Sequence, residues 1–547
     1  MATCGKQRVY LYDTTLRDGC QSEEVSLTVA DKLRIAQRLD DLGIDYIEGG
    51  WPGSNERDAA FFAEVKKLKL HHAKVAAFGS TRRANLKAEQ DHNLELLLTA
   101  QTPVATVVGK TWDLHVKEAL RISNQANLEV IADTIAYLKA RVDEVIFDAE
   151  HFFDGFADNP EFALQCLKAA AEAGADVICL CDTNGGRLPD EIAAGVNAAR
   201  AALSCTLGIH CHNDCELAVA NSLAAVKAGA RHVQGTINGL GERCGNANLV
   251  SIIANLELKL GCRCVGTEKL KLLREVSLVV YELANLAPLA RQAFVGRSAF
   301  AHKGGLHVSA IQRNVRTYEH MEPKLVGNNR RVLLSDLAGR ANIVYKAREF
   351  GLALDPDNEK IGLLLEELKR LEGEGYLYEG AEASFELVML RALGMLERSY
   401  FEFVSFRVFD DKWHEEHAPF SEAVVVIDGP DGQRSRSSAS GNGPVNALDS
   451  ALRKALLPYY PTLEPMHLAD YKVRVLDNGA GTAARVRVLI ESTDGKLRWG
   501  TVGVSSNVLE ASWQALVDAV EYKLYKDIAI PAVVNSPKGR LAVGAEL

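Results

Sequence analysis

Residues 9–19 read VYLYDTTLRDG, an apolar run that ends in two acids and an arginine. The apolar run predicts a buried β-strand, and the charged residues stand where that strand would end. The same order, a short β-branched run followed by a longer amphipathic stretch, recurs along the first 265 residues. The segment is therefore the first of a series of strand–helix units.

Eight such units are present, with predicted strands at residues 9–13, 46–49, 74–78, 104–108, 144–149, 177–181, 206–210 and 232–236. The stretches between them, such as residues 30–42 and 161–173, have the apolar period of helices, and several end at a glycine. Eight near-continuous apolar strands are typical of a closed parallel barrel, whereas an open doubly wound sheet usually has fewer. The prediction is an α/β protein with a (β/α)8 TIM barrel over residues 1–265.

The remainder of the chain predicts two further regions. Residues 266–375 form a helical linker, with helices at 268–285, 336–350 and 358–372. Residues 376–526 contain a repeat, in which 431–452 and 494–516 each run from an Asp-Gly turn through a strand and a Ser/Asn connection into a helix. Alternating strands at 423–427 and 484–490 precede the two turns. This predicts an α+β domain of two repeated β-rich units, followed by a tail over residues 527–547.

Composition narrows the class of protein. Of the 547 residues, 47% are hydrophobic and 24% are charged, which are ordinary globular values. A net charge of −10 argues against nucleic acid or an anionic membrane as the main partner. Eleven cysteines without framework spacing, together with no apolar stretch of membrane-span length, predict reduced thiols and a cytoplasmic protein.

Two strand ends carry residues that suit a metal. Residues 208–214 read GIHCHND, and in an extended segment His210 and His212 project to the same side. Because the ends of parallel strands meet at one barrel mouth, Asp13 could join them and hold a divalent cation with open positions for substrate. A strand-end aspartate is more often a turn residue, and a buried histidine is more often part of the core. The shared rim favours the metal site.

A glycine-rich loop follows the eighth strand at the same rim. Residues 238–248 read NGLGERCGNAN, and this loop could bind an anion or supply Asn246 as a neutral oxygen ligand. Such a loop by itself is more often a simple turn. Its position next to the predicted metal site favours a functional role.

These three motifs together, with Gln21, resemble the metal-dependent barrel enzymes of the isopropylmalate synthase and homocitrate synthase family, which join acetyl-CoA to 2-oxo acids. The resemblance extends over the whole chain, since the family also has a helical linker and a C-terminal regulatory domain. Residues 48–55 (EGGWPGSN) and 149–155 (AEHFFDG) resemble the subgroup that uses pyruvate and forms citramalate.

The resemblance implies condensation of acetyl-CoA with pyruvate and water to citramalate and CoA, a step of isoleucine biosynthesis, with Mg, Mn, Co or Zn as the metal. It implies that Arg17 and Asp18 bind substrate, that Arg17 stabilises the developing alkoxide and that Thr183 binds the oxo-acid carboxylate. Proton transfer would fall to Glu150, to His307 from the partner subunit of a homodimer and to Tyr318, and which of them is the base stays open. Relatives often have an acid two positions after the linker histidine, where this chain has Ser309.

Each of these residues could instead have a structural role. Glu150 could be an ion-pairing acid, His307 and Tyr318 could pack at an interface, and Thr183 could cap a helix. The alternative activities are those of synthases using a larger 2-oxo acid. A lyase is disfavoured because lyases of this superfamily carry Gly-Gly-Cys-Pro at residues 241–244, where this chain reads GERC. A non-catalytic amino-acid sensor is disfavoured because the rim keeps every ligand type; isoleucine is the effector that the resemblance implies.

Overall fold

The computed structural model describes residues 7–333, 339–396, 399–415, 418–476 and 483–534. The chain divides into two compact units: Met1–Phe300 with Met321–Arg330, and Ala301–His320 with Arg331–Leu547. Among the described residues, each helix is too short or too polar to cross a lipid bilayer.

The first unit is a closed parallel barrel. Its strands, paired in chain order with β8 returning to β1, are β1 Tyr10–Asp13, β2 Tyr46–Gly50, β3 Lys74–Ser80, β4 Val104–Lys110, β5 Glu144–Glu150, β6 Val177–Asp182, β7 Thr206–Cys211 and β8 His232–Gly235. The helices of this unit are α1 Val29–Leu42, α2 Glu56–Val65, α3 His92–Thr99, α4 Asp113–His115, α5 Asn124–Lys139, α6 Phe152–Asp158, α7 Pro160–Glu172, α8 Pro189–Ala202, α9 Ala218–Ala228, α10 Leu249–Asn255, α11 Thr267–Leu270 and α12 Leu273–Leu283. The predicted barrel is confirmed.

Local sequence explains where these elements begin and end. Helix α1 starts at a capping box in which Thr28 and Asp31 bond each other's backbone, and it stops at Gly43, whose φ of 94° suits glycine. All five residues of β2 and all six of β6 are buried, because helices cover the outside of the barrel and side chains fill the inside.

Aromatic rings fill the barrel interior below the mouth. Tyr12, Tyr46 and the buried His232 pack with ring centroids 5.2–5.9 Å apart. Gly208 faces this layer, and a Cβ there would lie 2.9 Å from the His232 ring. The glycine in β7 therefore makes room for the histidine in β8.

The second unit contains helices and two antiparallel sheets. Its helices are α13 Gly305–Arg313, α14 Arg340–Glu349, α15 Lys360–Gly373, α16 Glu382–Leu393, α17 Pro444–Leu456 and α18 Val508–Val534. Its strands are β9 Ala301–His302, β10 Arg331–Val332, β11 Glu402–Asp411, β12 Phe420–Asp428, β13 Arg434–Gly441, β14 His467–Val475, β15 Val486–Thr493 and β16 Arg498–Ser505. Strands β9 and β10 form a short parallel pair.

The repeat appears as two matching halves. Strands β11, β12 and β13 form one three-stranded sheet closed by α17, and β14, β15 and β16 form another closed by α18. The predicted repeat of β-rich units is confirmed. Strands β11 and β14, which were not predicted from the sequence, are edge strands of the two sheets, opposite β13 and β16.

The predicted domain boundaries at residues 265, 375 and 526 stay predictions. Helix α18 continues to Val534, so it includes the first residues of the predicted tail, and residues 535–547 lie outside the described residues. The predicted linker helix from Asp336 also begins outside them, and its described part is α14.

His232 makes stability depend on pH. Burial lowers its pKa to about 3, and neither ring nitrogen has a hydrogen-bond partner among the described residues. Since an unfolded histidine titrates near 6.5, only the unfolded state takes up this proton as the pH falls below about 6.5. We expect this histidine to remove roughly 1.4 kcal/mol of stability per pH unit below that value. In denaturant titrations at pH 7 and pH 5, His232→Phe should lose less stability on acidification than wild type.

The control is His92→Gln, because the His92 side chain is exposed at the surface. Removing this imidazole, whose pair with the exposed Glu95 is a surface one, should change the pH dependence less than His232→Phe does. Equal losses for His232→Phe and wild type would contradict the assignment.

Candidate active site

A cavity of about 220 Å³ opens at the carboxyl ends of the barrel strands. It is lined by Arg17, Asp18, Gln21, Trp51, Phe78, Val108, Asp148, Glu150, Cys181, Thr183, His210, His212 and Glu242. Active sites of TIM barrels lie at this end of the fold.

Asp18, His210 and His212 converge in this cavity. One ligand atom from each lies within 4.8 Å of the others, and all three residues are buried. The two Nε2 atoms are 3.3 Å apart, and His210 Nε2 is 3.5 Å from Asp18 Oδ2. The two histidines thus face one point, as their spacing predicts.

The carboxylate beside the histidines is Asp18, whereas Asp13, the predicted metal ligand, lies outside the cluster that the described residues form. Both oxygens of Asp13 accept hydrogen bonds from Thr15: Oδ1 from the backbone N–H at 2.9 Å, and Oδ2 from the hydroxyl at 2.9 Å. Asp13 therefore holds the turn after β1. Asp18, predicted as a substrate ligand, is carried by this turn into the cavity.

Charge and burial set the protonation states of this cluster. Burial by itself would raise the pKa of Asp18, but the positive charge of Arg17, together with the hydrogen bond that Asn246 donates, lowers it to about 2. Burial lowers the pKa of both imidazoles, that of His212 to about 3. The site thus presents one carboxylate and two neutral imidazoles, which are the forms that bind metals.

A buried polar chain orients His210. Gln234 on β8 donates from Nε2 to Asp148 Oδ1 at 2.8 Å, so its Oε1 faces His210 Nδ1 at 3.0 Å and accepts the ring N–H. His210 Nε2 is then left with its lone pair toward Asp18 and His212. Burial raises the pKa of Asp148 to about 8. Neither residue was predicted from the sequence, although a polar side chain in a buried strand was a usable signal.

Asn246 reaches the cluster from the glycine-rich loop. Its Nδ2 donates to Asp18 Oδ2 at 2.7 Å, and its buried Oδ1 has no hydrogen-bond partner among the described residues. A Cβ on Gly241 would lie 2.1 Å from that Oδ1. The loop glycine therefore permits the close approach of the Asn246 side chain, whose amide N–H faces Asp18.

This donor set fits a divalent cation. Two neutral imidazoles and one carboxylate are nitrogen and oxygen ligands of the kind that divalent metals take, and the Asn246 amide, whose Oδ1 has no hydrogen-bond partner among the described residues, lies beside them. The Nε2 atoms of His210 and His212 are 3.3 Å apart. Two facing lone pairs at this distance would repel each other unless a cation or a proton lay between them.

Arg17 is fixed beside the cluster. Its Nε donates to Glu48 Oε2 at 2.6 Å, its NH1 lies 3.6 Å from Asp18 Oδ2, and its guanidinium lies 3.9 Å over the Phe78 ring. Glu48 is buried and also accepts the Tyr12 hydroxyl at 2.8 Å. Glu48 was missed by the sequence analysis, because its motif was used only to assign a subgroup.

The other predicted site residues fall in two places. Glu150 lines the cavity and pairs with Lys110, and Thr183 Oγ1 accepts the His151 backbone N–H at 2.9 Å. His307 and Tyr318 lie in the second unit, where their rings stack with centroids 4.1 Å apart.

Substituting each aspartate separately distinguishes the role of Asp18 from that of Asp13. Asp18→Asn removes the charge beside the imidazoles, so we expect Mn²⁺ binding to weaken by more than the 10–100-fold typical of outer ligand partners. Asp13→Asn should cost stability, about 1 kcal/mol, and leave Mn²⁺ binding near wild type. Calorimetric titration and chemical denaturation measure the two effects, and metal loss in Asp13→Asn alone would reverse the assignment.

Comparison with known proteins places the chain in a family. Residues 8–280 match a family model described as HMGL-like, residues 294–375 one described as homocitrate synthase post-HMGL domain-like, and residues 379–524 one described as the LeuA allosteric (dimerisation) domain. An (R)-citramalate synthase of Geobacter sulfurreducens is 58% identical over 95% of this chain and 98% of its own length.

Two further relatives are similar to this chain at lower identity. An (R)-citramalate synthase of Aquifex aeolicus is 54% identical over 95% of this chain and 98% of its own. A 2-isopropylmalate synthase of Methanocaldococcus jannaschii is 31% identical over 95% of each chain. The chain therefore belongs to the (R)-citramalate synthase family.

Proposed function

We propose that this protein condenses acetyl-CoA with pyruvate and water to give citramalate and CoA. The observation that carries the proposal is the 58% identity to a citramalate synthase over nearly the full length of both chains. The geometry of the barrel mouth supports it, because polar groups for a 2-oxo acid converge in one small cavity.

The proposal includes a divalent metal held by Asp18, His210, His212 and the amide oxygen of Asn246. When bound, the metal would act as a Lewis acid toward the keto and carboxylate oxygens of pyruvate. Mg²⁺, Mn²⁺, Co²⁺ and Zn²⁺ are all candidates for this set.

Arg17 and Thr183 would bind and orient the oxo acid. The guanidinium is held by Glu48 and Phe78, so it is already in place to donate to the oxygen that becomes an alkoxide. Thr183 Oγ1 accepts the His151 N–H, which leaves the hydroxyl proton free to donate to the substrate carboxylate. Asp18 would act on the oxo acid through the metal, as one of the metal's ligands.

A base must remove a proton from the methyl group of acetyl-CoA. Glu150 lines the cavity, and Lys110 pairs with its carboxylate. His307 and Tyr318 are the further candidates, and we propose that they act from the partner subunit. Their stacked rings support a shared role.

The second unit supports a homodimer with feedback regulation. Residues 379–524 match a model described as an allosteric and dimerisation domain, and isoleucine, the end product of the pyruvate route, is the proposed effector. We further propose a cytoplasmic location, which the free thiols of Cys166, Cys179 and Cys211 support.

A substrate panel tests the activity. With acetyl-CoA, we expect CoA release to be fastest with pyruvate, slower with 2-oxoisovalerate and 2-oxoglutarate, and lost after chelation until a divalent metal is restored. A thiol-reactive dye measures CoA release. Faster turnover of either larger acid would overturn the proposal, and full velocity after exhaustive chelation would reject the metal.

Mixing inactive variants tests the shared site. Asp18→Asn disables the barrel of one subunit, and His307→Ala disables what the other subunit would supply. Under conditions of proven subunit exchange, their mixture should regain CoA release, because one site in each hybrid dimer keeps both residues. As a control, Asp18→Asn mixed with His210→Ala should regain none, since both barrels are damaged. No recovery in the first mixture would exclude a role for His307 across the dimer.

A further inference from the structure

The cavity at the barrel mouth has a polar side and an apolar side. His210 and His212 come from β7 and the residue that follows it, and Thr183 follows β6. The apolar lining comes from Trp51 after β2 and from Phe78 and Val108 on β3 and β4. Because the barrel closes in chain order, β3 lies across from β7. An oxo acid bound through its carboxylate and keto oxygens at the histidine side would direct its side chain to the apolar side.

Trp51 is fixed by a buried ion pair beneath it. Its backbone N–H donates to Asp58 Oδ2 at 2.9 Å, and the other Asp58 oxygen lies 2.5 Å from Lys32 Nζ. Lys32 is only 2% exposed, and its Nζ also reaches the Gly49 carbonyl at 3.2 Å. A buried lysine and aspartate strongly resist separation, because each would leave the other as an unpaired charge.

Close packing prevents the loop from moving aside. A Cβ on Gly49 would lie 2.3 Å from Phe61, and one on Gly50, whose φ is 145°, would lie 2.5 Å from Asp58. The Trp51 ring meets Phe78 edge-on with centroids 5.6 Å apart, and Phe78 in turn lies beneath the Arg17 guanidinium. Trp51 is therefore part of a rigid wall that also supports the arginine.

We propose that Trp51 determines substrate size: its ring occupies the space that a longer 2-oxo-acid side chain would need, so the site accepts the methyl of pyruvate. This inference rests on the proposed function, and it assigns the specificity of that same site to one residue. A rigid aromatic wall excludes an additional methylene more effectively than a flexible one, because nothing behind it gives way. Discrimination of one methylene in an apolar pocket is about 10–200-fold.

The experiment is a graded series at this position. We expect Trp51→Phe and Trp51→Leu to raise kcat/KM for 2-oxobutanoate relative to pyruvate, by about 10-fold or more for the leucine variant. The relative rate with 2-oxoisovalerate should rise only in the leucine variant. The KM for acetyl-CoA should stay near wild type. The phenylalanine variant keeps the experiment decisive if the leucine variant folds poorly.

Trp112→Leu is the matched control. Trp112 follows β4 at the same mouth, but it does not line the cavity, and its Nε1 donates to Asp158 at 2.8 Å. Its oxo-acid ratio should equal that of wild type even if its rate falls.

Two results would overturn the inference. An unchanged oxo-acid ratio in both Trp51 variants would show that the wall does not set substrate size. A raised KM for acetyl-CoA with an unchanged ratio would assign Trp51 to the other substrate. If wild type itself prefers a larger acid than pyruvate, the proposed function fails instead, so the two failures are distinguishable.

Discussion

Burial of charge at the barrel mouth is the constraint on which the site depends. Arg17, Asp18 and Glu48 are all buried or nearly so within one rim of the barrel. An isolated buried charge is costly, so each group needs a partner. Arg17 is held between Glu48 and Asp18. The same pairing that makes burial tolerable also fixes the directions in which these groups point.

That pairing explains why two aspartates five residues apart play different parts. Asp13 ends β1 and directs both oxygens back to Thr15, which shapes the turn. The turn delivers Asp18 to the histidines, where Arg17 keeps its carboxylate ionised. A substitution of either residue would disturb the site, but for different reasons: the first through the backbone, and the second through the donor set.

Support for the site comes from side chains that need never touch a substrate. Gln234 sets the tautomer of His210, Glu48 holds Arg17, and the Lys32–Asp58 pair holds the loop that carries Trp51. These interactions lie in the barrel interior or beneath its loops, where packing is dense and water is excluded. Such groups make the geometry available before substrate arrives, which lowers the reorganisation needed for reaction.

The sequence by itself determined the barrel, the repeated C-terminal unit and the convergence of His210 and His212. Each depends on a local period: apolar runs at strand spacing, a recurring Asp-Gly turn, and an alternation of two along an extended segment. Strands β11 and β14 escaped prediction although residues 471–475 (YKVRV) alternate apolar and charged side chains, because a register shift near the start of each strand breaks the alternation there. Only the tertiary structure decided between Asp13 and Asp18, and only it revealed Gln234, Glu48 and the support beneath Trp51. The reason is physical: which of two nearby carboxylates faces a histidine depends on how a turn folds and on which hydrogen bonds are already taken. Those are properties of contacts between residues distant in the chain.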